Sequence, residues 1–186
     1  IKLSKKSNKY VPKKITPEYL KNSSLYYLSR FSTSAENFKQ IMMRKVARSA
    51  KYHGTDPKKG LVLVENMISG YLQSGLLDDE AYAKARATNL HFRGNSSRNI
   101  RTKLKQKGLK SDIIELAVSS LQEAYENPEQ IAAIHFAQRR RLGPFQKNKL
   151  NDEIRKKHLA IMARAGFSYE IAKFIIFTLD EEDLLY

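Results

Sequence analysis

Leu77-Asp78-Asp79-Glu80-Ala81-Tyr82, Ser96-Ser97 and Lys110-Ser111-Asp112 are three helix starts in close succession, and the helical period after each decides the fold. In each, a short polar or acidic residue able to cap the free N–H groups of a first turn precedes a stretch with helical spacing. Helices are expected from Leu77 through about Phe92, from Ser96 through Lys107 and from Lys110 through about Tyr125. Gly108-Leu109 supplies a C-cap glycine, followed by an apolar residue that can pack back on its helix.

The same grammar extends in both directions. Upstream, Thr16 can cap, Pro17 suits a first helical position and Glu18 favours the positive end of the dipole, after which Leu20, Ser24, Tyr27, Leu28 and Phe31 share a face. Thr33-Ser34-Ala35-Glu36 reads as a capping box led by the Thr33 hydroxyl, followed by Phe38, Ile41, Met42, Lys45 and Val46 at helical spacing. His53-Gly54-Thr55-Asp56-Pro57 breaks the chain before Leu61, Val64, Met67, Ile68, Tyr71 and Leu72 recur at three- and four-residue steps. Downstream, Asn127-Pro128-Glu129 repeats the pattern of Thr16-Pro17-Glu18, and helices are expected from Pro144 to about Ala165 and from Ser168 to about Leu179, with Gly166-Phe167 matching Gly108-Leu109.

No stretch carries the period of two that a strand requires. The expectation is an all-α chain of about nine helices in three tandem three-helix repeats at 16–76, 77–126 and 127–180. A flexible basic arm at 1–15 precedes them and an acidic tail at 181–186 comes after. Repeats of this size bury little alone, so stacking into an elongated, curved array is expected, with one compact nine-helix globule as the alternative.

The 186 residues carry 34 Lys and Arg against 19 Asp and Glu, a formal charge of +15, so the surface must attract polyanions, nucleic acid first among them. There is no Cys, which excludes disulfide scaffolds, thiolate metal sites and a Cys nucleophile together. The start is basic (Lys2, Lys5, Lys6, Lys9, Lys13, Lys14) without the apolar stretch of a signal peptide, and Phe174 to Phe177 is far too short to cross a bilayer. A cytoplasmic protein with no membrane partner is expected.

Asp78-Asp79-Glu80 invites a metal or carboxylate-pair reading, yet adjacent helical residues point in different directions, and a helix start explains all three. His53, His91, His135 and His158 are scattered with no ligand spacing, and no Gly-rich phosphate loop is present. No catalytic residue, cofactor or metal is therefore expected, no small-molecule substrate, and no enzyme. The ten Tyr invite base stacking, but Tyr27, Tyr71, Tyr82 and Tyr125 lie at apolar helical spacing and read as core or half-core. Asp180-Glu181-Glu182-Asp183 sits beside the negative end of a helix, so contact with basic residues of the array is expected.

The basic clusters are the candidate site. Arg93, Arg98, Arg101, Lys103, Lys105, Lys107 and Lys110 occupy one stretch with no acid, and its like-charge pairs at i,i+4 are relieved when a polyanion lies opposite. Arg139-Arg140-Arg141 closes a helix, where the dipole accounts for about one of three cations. Lys147, Lys149, Arg155, Lys156 and Lys157 extend the positive surface, interrupted by Asp152 and Glu153. Together the second and third repeats can present one basic stripe to DNA phosphates or to the acidic grooves of a filament.

Three stretches resemble the RecX family of recombination regulators. Gly75-Leu76-Leu77-Asp78-Asp79-Glu80-Ala81-Tyr82-Ala83 is similar to its most specific signature; Arg93-Gly94 leading to Ile100-Arg101 and Leu104-Lys105-Gln106-Lys107-Gly108-Leu109 resembles a second segment; Ala163-Arg164-Ala165-Gly166-Phe167-Ser168 with Ile171 resembles its ending. Ser96-Ser97 stands where many members have Gly-Pro, and Ser49 to Pro57 is longer than the family's turn. The resemblance implies three helical repeats, binding to RecA filaments on single-stranded DNA, and modulation, usually inhibition, of RecA ATP hydrolysis and strand exchange in DNA repair and the SOS response. A monomer is expected, with contact to duplex DNA left open. The alternative is a RecA-independent, helix-turn-helix-like DNA-binding protein.

Overall fold

A computed structural model describes residues 11–147, 150–179 and 184. Among them are nine α-helices, one short 3-10 turn and no strand, divided between two compact units, Ile1–Asp78 and Asp79–Tyr186. The basic residues before position 11 and the acidic ones at 180–183 lie outside the described residues.

The first unit holds α1 (Pro17–Leu28), α2 (Ala35–His53) and α3 (Pro57–Gln73) around a core of Leu20, Phe38, Met42, Val46, Val64 and Leu77. Each helix is started by a side-chain cap: Thr16 accepts from the Tyr19 N–H, Ser34 from Asn37 and Asp56 from Lys58. The cap of α2 is thus Ser34 and not the expected Thr33, whose hydroxyl accepts from the Asn37 side chain at 2.7 Å. Adjacent hydroxyls both lie near the helix start, and backbone conformation selects between them: Ser34 is extended and buried, with its oxygen aimed at the first turn. Gly60 brings α3 close to α2, since a Cβ there would run into Val46 Cγ1. Tyr71 and Ser24 share a hydroxyl hydrogen bond at 2.7 Å, joining α3 to α1. The approach to α1 is tied down as well: Ile15 N–H donates to Ser49 Oγ, and His53 Nε2 donates to the Pro12 carbonyl.

The second unit contains α4 (Asp79–Phe92), α5 (Ser97–Lys105), α6 (Ser111–Ala124), α7 (Pro128–Arg140), a 3-10 turn (Gly143–Phe145), α8 (Asp152–Arg164) and α9 (Tyr169–Phe177). One apolar cluster, with Leu90, Ile100, Leu104, Val118 and Leu121, belongs to α4–α6; another, with Phe136, Met162, Ile175 and Ile176, belongs to α7–α9. Gly108 and Gly166 both adopt positive φ, and the Leu109 and Phe167 that come next are buried, the expected C-terminal geometry.

The helix expected from Pro144 starts later, at Asp152. Gly143 takes φ +58 against the α9 backbone, and its N–H donates to His158 Nδ1 at 3.1 Å. The chain therefore makes only a 3-10 turn at Pro144, and Asn151, accepting from the Ile154 N–H at 2.8 Å, is the effective start signal. Asn127 also departs from Thr16: it is left-handed and makes no side-chain cap.

Three contacts lock the two apolar clusters of this unit together. At Gly94, with φ +69, a Cβ would stand 2.5 Å from the Phe136 backbone nitrogen, so α7 lies directly on the loop after α4. Ser96 Oγ donates to the Ala165 carbonyl at 2.6 Å. From α7, the Glu129 carboxylate accepts from Ser97 N–H at 3.0 Å and Ser97 Oγ at 2.5 Å, placing a negative charge at the start of α5. A proline at position 97 would have no N–H for Glu129, so Ser96-Ser97 acts here as a fastening point between repeats.

Candidate polyanion-binding site

The loop between α4 and α5 arranges the first group of cations. Asn95 is buried, its amide donating to the Leu90 carbonyl at 2.7 Å, and its Oδ1 accepts from Asn99 at 3.3 Å and from Lys103 Nζ at 2.5 Å. Asn99 and Lys103 are one helical turn apart, so one buried amide fixes both side chains on one face of α5. Burial holds the Lys103 ammonium below its ordinary pKa, and the positive charges of Arg139, Arg86 and Arg93 lower it further. Cations from α4, the loop after it, α5 and α7 therefore converge on Lys103. Arg86 Nε is buried without a hydrogen-bond partner among the described residues.

The end of α7 supplies a second group. Arg139 and Arg140 both lie over Phe136, each guanidinium carbon 5.9 Å from the ring centroid, a distance at which the ring face attracts a cation. Arg141 comes next at φ +54 as the C-cap. Beside Phe136 opens a groove lined by Asn99, Arg140, Leu142, Ile161, Arg164 and Ala165. It continues past Arg98, Thr102 and Gly166. Gly166, at φ +92, leaves room for Ser96 Oγ, which a Cβ would meet at 2.7 Å. Among the described residues, no carboxylate lines either part.

The structure thus brings Arg93, Arg98, Lys103, Arg139 and Arg140 to the meeting of α4, α5, α7 and α8. Other expected residues are engaged elsewhere. Arg101 forms a bidentate ion pair with Glu115 of α6, two of its hydrogen bonds at 2.9 Å, and these bonds raise the pKa of the guanidinium and lower that of the carboxyl. Arg155 pairs with Asp152 at 3.4 Å and lies 5.1 Å from the Phe177 ring centroid; Lys157 pairs with Glu153. Lys105, Lys147 and Lys156 are exposed, Lys107 is half-buried, and Lys149 lies outside the described residues.

Arg86 and Arg164 belong to the site but not to the charge clusters of the sequence. Arg86 has only Lys84 near it among apolar helical positions, without the local density that marked its partners. Arg164 stood in the Ala163 to Ser168 stretch, the signal that could have found it.

A separate aromatic cluster joins α4 to α7. His91 is buried and stacks on Tyr125 at 5.3 Å, and Phe92 contacts both Tyr125 and His135. Burial, and after it the charge of His135, lowers the His91 pKa. Among the described residues no three His, Cys, Asp or Glu side chains gather as a metal site, and no helix is long and apolar enough to cross a membrane.

Residues 78–118, which carry Arg86, Arg93, Arg98 and Lys103, match a family model described as RecX, second three-helix domain. A regulatory protein RecX of Myxococcus xanthus is 39% identical over 166 residues, covering 89% of this chain and 88% of the relative. A regulatory protein RecX of Agrobacterium fabrum is 31% identical over 169 residues, covering 90% and 88%. The fold is similar to a crystal structure of regulatory protein RecX, with a TM-score of 0.61 and 20% identity over 86% of this chain and 70% of that one. At 39% and 31% identity to two such relatives over about nine tenths of its length, the chain belongs to the RecX family of regulatory proteins.

Proposed function

We propose that this protein regulates the RecA recombinase: it binds RecA filaments assembled on DNA and slows their ATP hydrolysis and strand exchange, in DNA repair and the SOS response. The single observation that carries the reading is the convergence of Lys103, fixed on Asn95, with Arg86, Arg93 and Arg139 in a RecX-family chain. Like charges held together by a folded core repel one another and are relieved by an anionic polymer or an acidic protein groove. The protein acts in the cytoplasm as a monomer, by occupying its partner, and ATP is hydrolysed by the recombinase alone.

The test is ATP hydrolysis by a purified RecA recombinase on single-stranded DNA, with increasing amounts of this chain. Inhibition at up to stoichiometric amounts, lost in a Lys103→Gln/Arg139→Gln double variant of unchanged stability, is the expected result. An unchanged rate, with tight binding to duplex DNA, returns the RecA-independent DNA-binding reading instead.

A further inference from the structure

The two apolar clusters of the second unit are separate, and what lies between them is polar and aromatic. Beside the hydrogen bonds of Ser96 and Ser97, α4 meets α7 through a cluster of rings. His91 is 2% exposed, with its ring centroid 5.3 Å from that of Tyr125, and Phe92 stands 5.6 Å from Tyr125 and 6.3 Å from His135 of α7. His91 Nε2 and His135 Nδ1 are both buried without a hydrogen-bond partner among the described residues. We propose that this cluster is an acid-sensitive latch between the second and third repeats: uptake of a proton by the His91–His135 pair opens the joint of α4 with α7, while the three-helix cores on either side stay folded.

A neutral imidazole can lie among rings with one nitrogen unsatisfied, at the modest cost of an unmade hydrogen bond. An imidazolium in the same place puts a charge and an added N–H where no acceptor waits, and the cost is far larger. Among the described residues, the charged groups that act on His91 are His135 and Glu129, both from α7; Tyr125, at the end of α6, stacks on its ring, and α5 adds none. Glu129 alone favours a proton there, and its carboxylate is held by the Ser97 N–H and hydroxyl. A charged His91 therefore draws Glu129 away from Ser97 and loosens a second fastening of the same joint. Arg139, one helical turn beyond His135 on α7, opposes any further positive charge. Closed, the latch keeps His91 neutral; open, the ring reaches water and regains its ordinary value of 6.5. Proton uptake thus favours the open form: the latch is fully closed above that value and weakens as pH falls below it. Arg93 and Lys103 lie on one side of the joint and Arg139 on the other, so opening also separates the cations that meet at Lys103. The inference goes beyond the regulator reading, and the latch is measured on the chain alone, without recombinase or DNA.

Hydrogen exchange of the full chain, read about one unit above and one unit below the ordinary histidine value and divided by the rate of the unstructured sequence at each pH, tests the latch. Residues 94–99 include the Ser97 N–H that donates to Glu129. Their protection is expected to fall about tenfold in acid, while α2 and α9 change less than about threefold. In a His91→Phe/His135→Leu double variant the acid drop is expected to vanish. Should that variant not fold, the wild-type imidazole signals serve instead: the NMR titration of His91 is expected to share its midpoint with the loss of protection. Unchanged protection of 94–99 in acid, an equal loss in α2 and α9, an acid drop that persists in the folded double variant, or a His91 that titrates while 94–99 stays protected overturns the inference. So does a loss centred on Gly143, whose N–H donates to His158, since that histidine would then be the acid-sensitive one.

Discussion

Glu129 shows how one side chain can serve a neighbouring repeat. Its own helix begins at a left-handed Asn127 with no side-chain cap, while its carboxylate accepts two hydrogen bonds from Ser97 at the start of α5. Glu129→Ala is expected to cost about 1–2 kcal/mol, read as a lowered denaturant midpoint, and Ser97→Ala, which keeps the N–H, about half of that. Two buried histidines make stability depend on pH. Burial lowers the pKa of His158, whose Nδ1 accepts from the Gly143 N–H and must stay unprotonated to do so. His91 is lowered by burial and by His135. Both release their protons more readily folded than unfolded, so their neutral forms support the fold fully above the ordinary value of 6.5. As pH falls through that value the unfolded chain takes up protons first, and stability is lost. Chemical denaturation at pH 7.5 and pH 5 is expected to show a lower midpoint in acid, with a smaller drop in His91→Phe. An equal drop in the variant removes His91 from the account.

At the scale of elements, close approach of backbones decides the packing. Gly94→Ala forces a Cβ to 2.5 Å from the Phe136 nitrogen and places a side chain at φ +69. The expected cost is about 3 kcal/mol or more, seen as a large fall in melting temperature. Gly60→Ala meets Val46 Cγ1, but a side chain can shift where a backbone cannot, so about 1–2 kcal/mol is expected. Elements also decide which cations are available. The bidentate pair with Glu115 occupies Arg101, so Arg101→Gln is expected to weaken single-strand binding less than Arg140→Gln does, in side-by-side anisotropy titrations. Equal losses would show that the Glu115 pair opens on binding.

For the molecule as a whole, charge is the extensive property. With +15 formal charge, binding to any polyanion is expected to fall steeply with salt, and each groove arginine removed flattens that dependence. The helical grammar, the order of the helices among the described residues and the left-handed glycines at 108 and 166 were legible in the chain, because caps, period and C-terminal glycines act over a few residues. Local signals placed the α8 start at Pro144 and the α2 cap at Thr33 incorrectly. In each case a neighbouring polar residue, Asn151 or Ser34, had the backbone conformation that capping needs. That the basic stretches at 93–107 and 139–141 matter was readable from density of charge. Which members meet was decided only by tertiary packing. Gly94 against Phe136 and Glu129 on Ser97 bring α5 and α7 together, recruiting Arg86 and Arg164 while Arg101 is spent on Glu115. The physical reason is one of range: a helix start is satisfied within its own first turn, whereas a site made of repelling cations exists only where distant segments, packed for the sake of their apolar faces, hold those charges side by side.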